Sequence, residues 1–231
     1  MTAVEKTREP QYQRCLEVRD QIGVATLGLM TNQAWHDDPK HLLFVLSRYK
    51  FVAKMLSGRE HVLEVGCADA FGTRLVVQEV ARLTAIDFDP VFIEDVLRRM
   101  DERWKFGVRL HDILEGPPEG SFDAAYALDV LEHIPCDQEQ RFIANIAHTL
   151  PRDGVLIIGT PSLESQPYAS PPSKAGHVNC KSQRELRSLL SGFFDSVFLF
   201  SMNDEVVHTG YGPMAHYLFA VASGEKSSIN P

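Results

Sequence analysis

The sequence contains no C-x-x-C pair. Its four cysteines, Cys15, Cys67, Cys136 and Cys180, are scattered along 231 residues. That spacing excludes zinc-ribbon and thioredoxin-type signatures and fits reduced thiols. Long apolar runs are also missing, and none reaches the ~20 residues of a membrane-spanning helix. The N-terminus, M-T-A-V-E-K-T-R-E-P, is polar and lacks the apolar region of a secretion signal. A cytoplasmic location is the expectation. Positive charge is in deficit, with 23 Lys and Arg against 31 Asp and Glu, a net charge of −8. A large nucleic-acid footprint needs a basic face, so this balance argues against one. No internal repeat or low-complexity tract is visible.

What is present is an α/β pattern. At this length, and with 44% hydrophobic residues, one sizeable core is expected. The most informative stretch runs from His61 to Thr73, H-V-L-E-V-G-C-A-D-A-F-G-T. A short apolar strand leads directly into Gly66 and a turn of small residues. A second strand, Leu83-Thr84-Ala85-Ile86-Asp87, ends in an acid twenty-one residues past that glycine. Strand, glycine turn, helix, strand and terminal acid are what a nucleoside cofactor requires. The glycine lets backbone approach the ligand, and the acid accepts bonds from two ribose hydroxyls. Cys67, within the turn, reads as a small packing residue.

The rest of the chain extends the alternation. Asp38-Pro39 is expected to open a helix whose apolar face is Leu42, Leu43, Leu46, Tyr49, Val52, Ala53 and Leu56, with Gly58 ending it. Strands are expected at 61–66, 82–87, 105–110, 122–128, 154–159, 195–202 and 215–222. Helices are expected at 71–80, from Asp89-Pro90 to Arg103, from a capping box at Asp137–Gln140 to Leu150, and from Ser182-x-x-Glu185 to Leu190. The fold class is therefore α/β. The sheet is doubly wound, mostly parallel and seven-stranded, closed by a C-terminal antiparallel hairpin.

Four segments in this order, V-L-E-V-G-C-A-D-A-F-G-T, L-T-A-I-D-F-D-P, F-D-A-A-Y-A-L-D-V-L-E-H-I-P and L-P-R-D-G-V-L-I-I-G-T-P-S, resemble the class I S-adenosylmethionine-dependent methyltransferases. The resemblance covers residues 40–222. Its third segment is the most specific, because D-V-L-E-H after the fourth strand is not a feature of NAD-binding domains. The chain departs from the family at Ala68 and Ala70, where glycine is usual. Alanine takes positive φ only at a cost. The resemblance implies a Rossmann-like methyltransferase domain over 1–231. Within it, 1–58 would be a helical cover, 59–160 the cofactor-binding core, and 161–231 the acceptor-side loops and hairpin.

By position, the resemblance implies that Glu64, Gly66 and Ala68 surround the methionine part of S-adenosyl-L-methionine. Asp87 would hold the ribose hydroxyls and Phe88 would lie beside the adenine. Asp112 and Ile113 would meet the adenine edge, and Asp129 would lie near the sulfonium. Methyl transfer to a hydroxyl calls for a base, and the candidates are His133, His177 and His208. His177 lies in a polar stretch of about twenty residues after the fifth strand, a length that suggests a lid or binding wall. Tyr168, Ser170, Lys174 and Asn179 in that stretch are substrate-binding candidates. So are Asn203 and Asp204, in a polar insertion between the last two strands. Asp204 and His208 would share a face if that insertion were helical. A metal site from Asp129, His177, Asp204 and His208 is conceivable, but no contiguous ligand motif supports it, and no metal is expected.

The expected partner is a small-molecule acceptor, with no nucleic acid, no membrane and homodimerisation left open. The leading reading is O-methylation of a sugar, a surface-glycan precursor or a secondary metabolite. N-methylation or a phosphoryl-oxygen acceptor stays open. An NAD-dependent oxidoreductase and a non-catalytic cofactor-binding module are the competing classes.

Overall fold

The computed structural model describes residues 5–226. The polar N-terminus and the outer limits of the expected domain fall partly outside the described residues. Three helices come first: α1 (Gln13–Ile22), α2 (Leu29–Asp37) and α3 (His41–Met55). The alternating part follows as β1 (Val62–Val65), α4 (Thr73–Val77), β2 (Leu83–Asp87), α5 (Pro90–Arg99), β3 (Gly107–Leu110), β4 (Ala124–Leu128), α6 (Glu139–Ala147) and β5 (Val155–Pro161). Then come α7 (Pro171–Gly176), α8 (Gln183–Ser191), β6 (Phe194–Asn203), β7 (Val206–His208) and β8 (Tyr217–Glu225).

The sheet order is β3-β2-β1-β4-β5-β8-β6-β7. The first five strands are parallel, and β8, β6 and β7 join antiparallel. Among the described residues, eight strands replace the expected seven. The polar insertion at 201–211 is not helical, because β6 runs on to Asn203 and turns through Asp204 and Glu205 into the short edge strand β7. Asp204 sits in that turn at φ 50°. Asp204 and His208 therefore do not share a helical face.

Local chemistry explains most element boundaries. Asp89 caps α5 by accepting the Val91 N–H at 2.8 Å, Pro90 follows at the first turn, and Arg98 and Arg99 close the last turn. The Ser182–Glu185 capping box of α8 is complete. The expected box at Asp137–Gln140 does not form, and α6 starts after Gln138 without a side-chain cap. Pro39 likewise stays outside α3, and Asp38 accepts the Lys40 N–H instead. The stretch after β5 is not structureless. A 3₁₀ segment at Leu163–Tyr168 and α7 both start from serine caps, Ser162 and Ser170.

Alternation along the strands divides the core between the two faces of the sheet. Leu63, Val65, Ala125, Leu156 and Ile158 pack against Phe142, Ile143 and Ile146 of α6 and Leu186 and Leu190 of α8. Val62, Ala124, Tyr126 and Ile157 pack against Tyr49 and Val52 of α3, Leu56 just after it, and Ile93 and Val96 of α5. Strand order reverses between β1 and β4, so the crevice beyond their C-terminal ends is where an open α/β sheet binds ligands. Among the described residues, no helix is long and apolar enough to cross a membrane.

Candidate active site

The turn after β1 is tied to the end of β2. Gly66 and Cys67 donate their N–H groups to the Ile86 carbonyl at 2.9 and 3.1 Å. Ala68 N–H donates to Asp87 Oδ2 at 2.8 Å, and Asp89 N–H donates to Asp87 Oδ1 at 2.9 Å. Asp87 is thereby fixed at the strand end, and each oxygen keeps a further acceptor site. Gly66 has φ 73°, and a Cβ there would collide with the Val130 side chain. Ala68 and Ala70 adopt φ 44° and 50°. The turn keeps the left-handed shape that glycine would adopt freely, at a cost of about 1–2 kcal/mol for each alanine. Cys67 is buried, and burial pushes its thiol up, away from a reactive thiolate.

Phe88, the residue after Asp87, is 71% exposed, so most of its ring is left uncovered among the described residues. Asp112 is half-buried and accepts the Leu114 N–H at 2.8 Å. Ile113 lies in the core, and its carbonyl accepts from Asn145 at 2.6 Å. Glu64 is not at the cleft surface. It is 1% exposed, and its two oxygens accept from the Tyr49 hydroxyl at 2.9 Å and the Thr73 hydroxyl at 2.7 Å. Burial raises its pKa to about 7. Glu64 braces α3 and α4 beneath the turn.

Asp129, at the end of β4 with φ 57°, is held by Arg48 of α3, whose Nη1 lies 2.8 Å from both carboxylate oxygens. The Arg48 guanidinium also stacks 3.9 Å from the centre of the Tyr217 ring. Among the described residues, Arg48 Nε and the Tyr217 hydroxyl are buried without a hydrogen-bond partner, beside Asp129. Phe44, Arg48, Met202, Asp204, His216 and Tyr217 line a recess next to them.

Glu132, His133 and His177 form a second cluster on the same end of the sheet. One ligand-type atom from each lies within 4.8 Å of the others. The imidazoles meet edge-on, with ring centres 5.2 Å apart. His133 Nδ1 contacts the Gly176 carbonyl at 2.9 Å, and His177 Nδ1 contacts Gln166 Oε1 at 2.9 Å. Glu132 is buried and accepts from the Thr160 hydroxyl at 3.1 Å. Burial and the nearby Asp129 carboxylate push its pKa up. Burial and His133 lower the pKa of His177, which favours the neutral imidazole.

The remaining predicted residues have other surroundings. His208 Nδ1 accepts the Gly210 N–H at 2.9 Å, and its Nε2 donates to Asn203 Oδ1 at 2.9 Å. Both ring nitrogens are spent inside the β6–β7 hairpin, so this side chain has no free lone pair for a base. Asn203 also donates to the Met214 carbonyl at 3.0 Å. Asn179 is buried, donating to Glu139 at 2.8 Å and accepting from Cys136 at 2.8 Å. Lys174 Nζ donates to the Pro167 carbonyl, Ser170 caps α7, and Tyr168 is 90% exposed. Lys174 and His177 share a shallow cavity of about 370 Å³ with Gln166, Cys180 and Lys181. The sequence reading missed Arg48, Gln166 and Glu132. Glu132 stood in D-V-L-E-H beside His133, but Arg48 and Gln166 carry no local signal.

A family of methyltransferase domains matches residues 62–154. A probable S-adenosylmethionine-dependent methyltransferase of Mycobacterium tuberculosis is 30% identical over 151 residues, 64% of this chain and 53% of that protein. One from Mycolicibacterium smegmatis is 28% identical over 144 residues, 62% and 54% of the two chains. The chain thus spans about half the length of these relatives. Among solved structures, the N-methyltransferase NodS from Bradyrhizobium japonicum with S-adenosyl-L-homocysteine aligns with a TM-score of 0.59 and 20% identity over 83% of this chain and 91% of NodS. DhpI with S-adenosyl-L-homocysteine aligns with a TM-score of 0.62 and 16% identity, over 84% and 91%. Residues 62–154 are thus similar to the methyltransferase-domain family, and the chain has the fold of the class I S-adenosylmethionine-dependent enzymes.

Proposed function

We propose that the chain is an S-adenosylmethionine-dependent methyltransferase that acts at an oxygen of a small polar molecule. The observation that carries this reading is one end of one sheet. There the Asp87–Phe88 cradle stands on one side of Asp129, and the Glu132–His133–His177 cluster stands on the other. The residues present fit the cofactor. Asp87 has acceptor capacity left for two ribose hydroxyls, and the exposed Phe88 ring offers a face for an adenine. The left-handed turn at Gly66, Ala68 and Ala70 keeps backbone close to the crevice. Asp112 and Ile113 border the adenine side, and Asp129, fixed by Arg48, supplies negative charge toward a cationic centre.

The bound cofactor supplies an electrophilic methyl group on a sulfonium. The chain supplies alignment, exclusion of water and polar groups for the acceptor. The imidazole cluster at His133 and His177, with His177 held toward the neutral form by burial, suits a hydroxyl, which must lose its proton as it attacks, better than a neutral amine, which needs little help. The cavity of about 370 Å³ beside Gln166, Lys174 and His177 has room for a small acceptor. The acidic net charge disfavours a polyanionic one.

The test is incubation with S-adenosylmethionine and panels of sugars, glycan precursors, hydroxylated metabolites and amines, with mass spectrometry for methylated products. Methylation of a hydroxyl compound supports the reading. Methylation confined to amines moves it to nitrogen.

A further inference from the structure

We propose that Glu132, His133 and His177 bind a single divalent first-row metal ion, with open coordination positions facing the acceptor. The cluster is drawn from two segments that backbone hydrogen bonds lock together. Val178 and Asn179 donate their N–H groups to the Glu132 carbonyl at 2.8 and 3.0 Å. His133 is tied to Gly176 in the same place. One ligand-type atom of each residue already lies within 4.8 Å of the others, a side-chain adjustment away from sharing an ion at about 2.0–2.2 Å.

The hydrogen bonds also fix which ring nitrogens are free. The Gly176 carbonyl can only accept, so His133 Nδ1 carries the hydrogen and Nε2 carries the lone pair. Gln166 donates its amide nitrogen to the Ser162 carbonyl at 3.1 Å, which turns its oxygen toward His177. That oxygen can only accept, so His177 also carries its hydrogen on Nδ1 and its lone pair on Nε2. Two imidazoles that donate Nδ1–H to a carbonyl and an amide oxygen, with Nε2 free, have the outer-shell arrangement of metal-bound histidines. Glu132 supplies a carboxylate oriented by the Thr160 hydroxyl. Asp129 stays outside the ligand set, because Arg48 holds both of its oxygens.

Two imidazoles and one carboxylate suit Mn²⁺, Fe²⁺, Co²⁺ or Zn²⁺ rather than Mg²⁺ or Ca²⁺, which prefer oxygen alone. Glu132 closes the inner side. The exposed His133 and half-buried His177 leave the outer side open. The consequence for turnover rests on the methyltransferase reading, whereas ion binding does not. An acceptor hydroxyl held on the ion would release its proton to water. Its oxygen would then bond to the methyl carbon while the carbon–sulfur pair returns to sulfur, leaving a neutral thioether.

The experiment uses the full chain, stripped with a chelator, dialysed and titrated with Mn²⁺ by calorimetry and with Co²⁺ by visible absorption. One ion per chain in the micromolar range or tighter is expected. His133→Ala and His177→Ala should each weaken binding at least about tenfold, and Gln166→Leu should weaken it by about 10–100-fold by releasing the His177 tautomer. His148→Ala, on the far end of α6, should leave binding unchanged. S-adenosyl-L-homocysteine binding, measured on the same samples, should persist in all four variants. No Mn²⁺ or Co²⁺ binding up to millimolar concentration overturns the proposal, as does binding that survives both histidine substitutions undiminished. Histidine-dependent ion binding without S-adenosyl-L-homocysteine binding would uphold the ion site and remove the methyltransferase reading.

Discussion

At the scale of single residues, the two acids of the β1 and β2 strands divide into opposite roles. Asp87, largely buried at the end of β2, is the proposed ribose ligand, and its two oxygens also hold the Ala68 and Asp89 amides. Asp87→Ala should therefore weaken S-adenosyl-L-homocysteine binding by about 1.5–3 kcal/mol, the range for hydrogen bonds to a charged group. It should also cost some stability, because two backbone donors lose their partner. Asp87→Asn keeps the shape and one acceptor oxygen, so calorimetry on both variants separates ligand contact from turn support. Equal affinity in both variants and wild type would remove Asp87 from the site.

Glu64 works in the other direction. Its pKa rises from 4.5 to about 7 in the folded chain, chiefly by burial. Between these values the folded state holds a proton that the unfolded state has lost. Stability from this group is therefore fully present below pH 4.5 and falls as pH rises through 7, by roughly 3 kcal/mol in all. Glu64→Gln should flatten that slope in denaturant titrations from pH 4.5 to 8. An unchanged slope would show that Glu64 is ionised in the folded state throughout.

At the scale of elements, the three histidine candidates separate by the segments that carry them. His208 is bound at both nitrogens within the β6–β7 hairpin. His208→Ala should lower stability by about 0.5–1.5 kcal/mol per lost hydrogen bond and leave S-adenosyl-L-homocysteine affinity unchanged. His177→Ala should lower turnover by about 10²–10⁴ with cofactor affinity nearly intact. A thermal melt and a single-turnover assay on each variant check the pair. Comparable turnover loss in both would return the hairpin to the acceptor site.

The elements that could be read from the sequence are those whose cause is local. Apolar runs gave the buried β1, β2, β4 and β5, and Ser182-x-x-Glu185 gave the start of α8. Short elements escaped, because a three-residue strand such as β7 has almost no pattern of its own. The α7 segment depends on Ser170 and two prolines in a stretch that otherwise reads as loop. Asp137–Gln140 had the spacing of a capping box but not the backbone to use it.

At the scale of the molecule, the site is assembled from places far apart in sequence. The Gly66-to-Asp87 unit was legible as structure because its strand, glycine turn, helix, strand and terminal acid lie within one β-α-β stretch. Arg48 was not, since only folding brings α3 across to Asp129, 81 residues away. Gln166 and His177 meet Glu132 and His133 only because β4 and β5 are adjacent and parallel. The same adjacency puts the proposed nucleoside cradle, Asp87 and Phe88, and the proposed acceptor cluster, Glu132, His133 and His177, at one end of the sheet, with Asp129 between them. The measurement that tests this account most directly is calorimetric titration of the chain with S-adenosyl-L-homocysteine, with NAD as the comparison. A Kd in the low micromolar range or tighter, about −8 kcal/mol, with no comparable NAD binding, is the predicted result. NAD binding of equal strength, or no S-adenosyl-L-homocysteine binding at millimolar concentration, would contradict it.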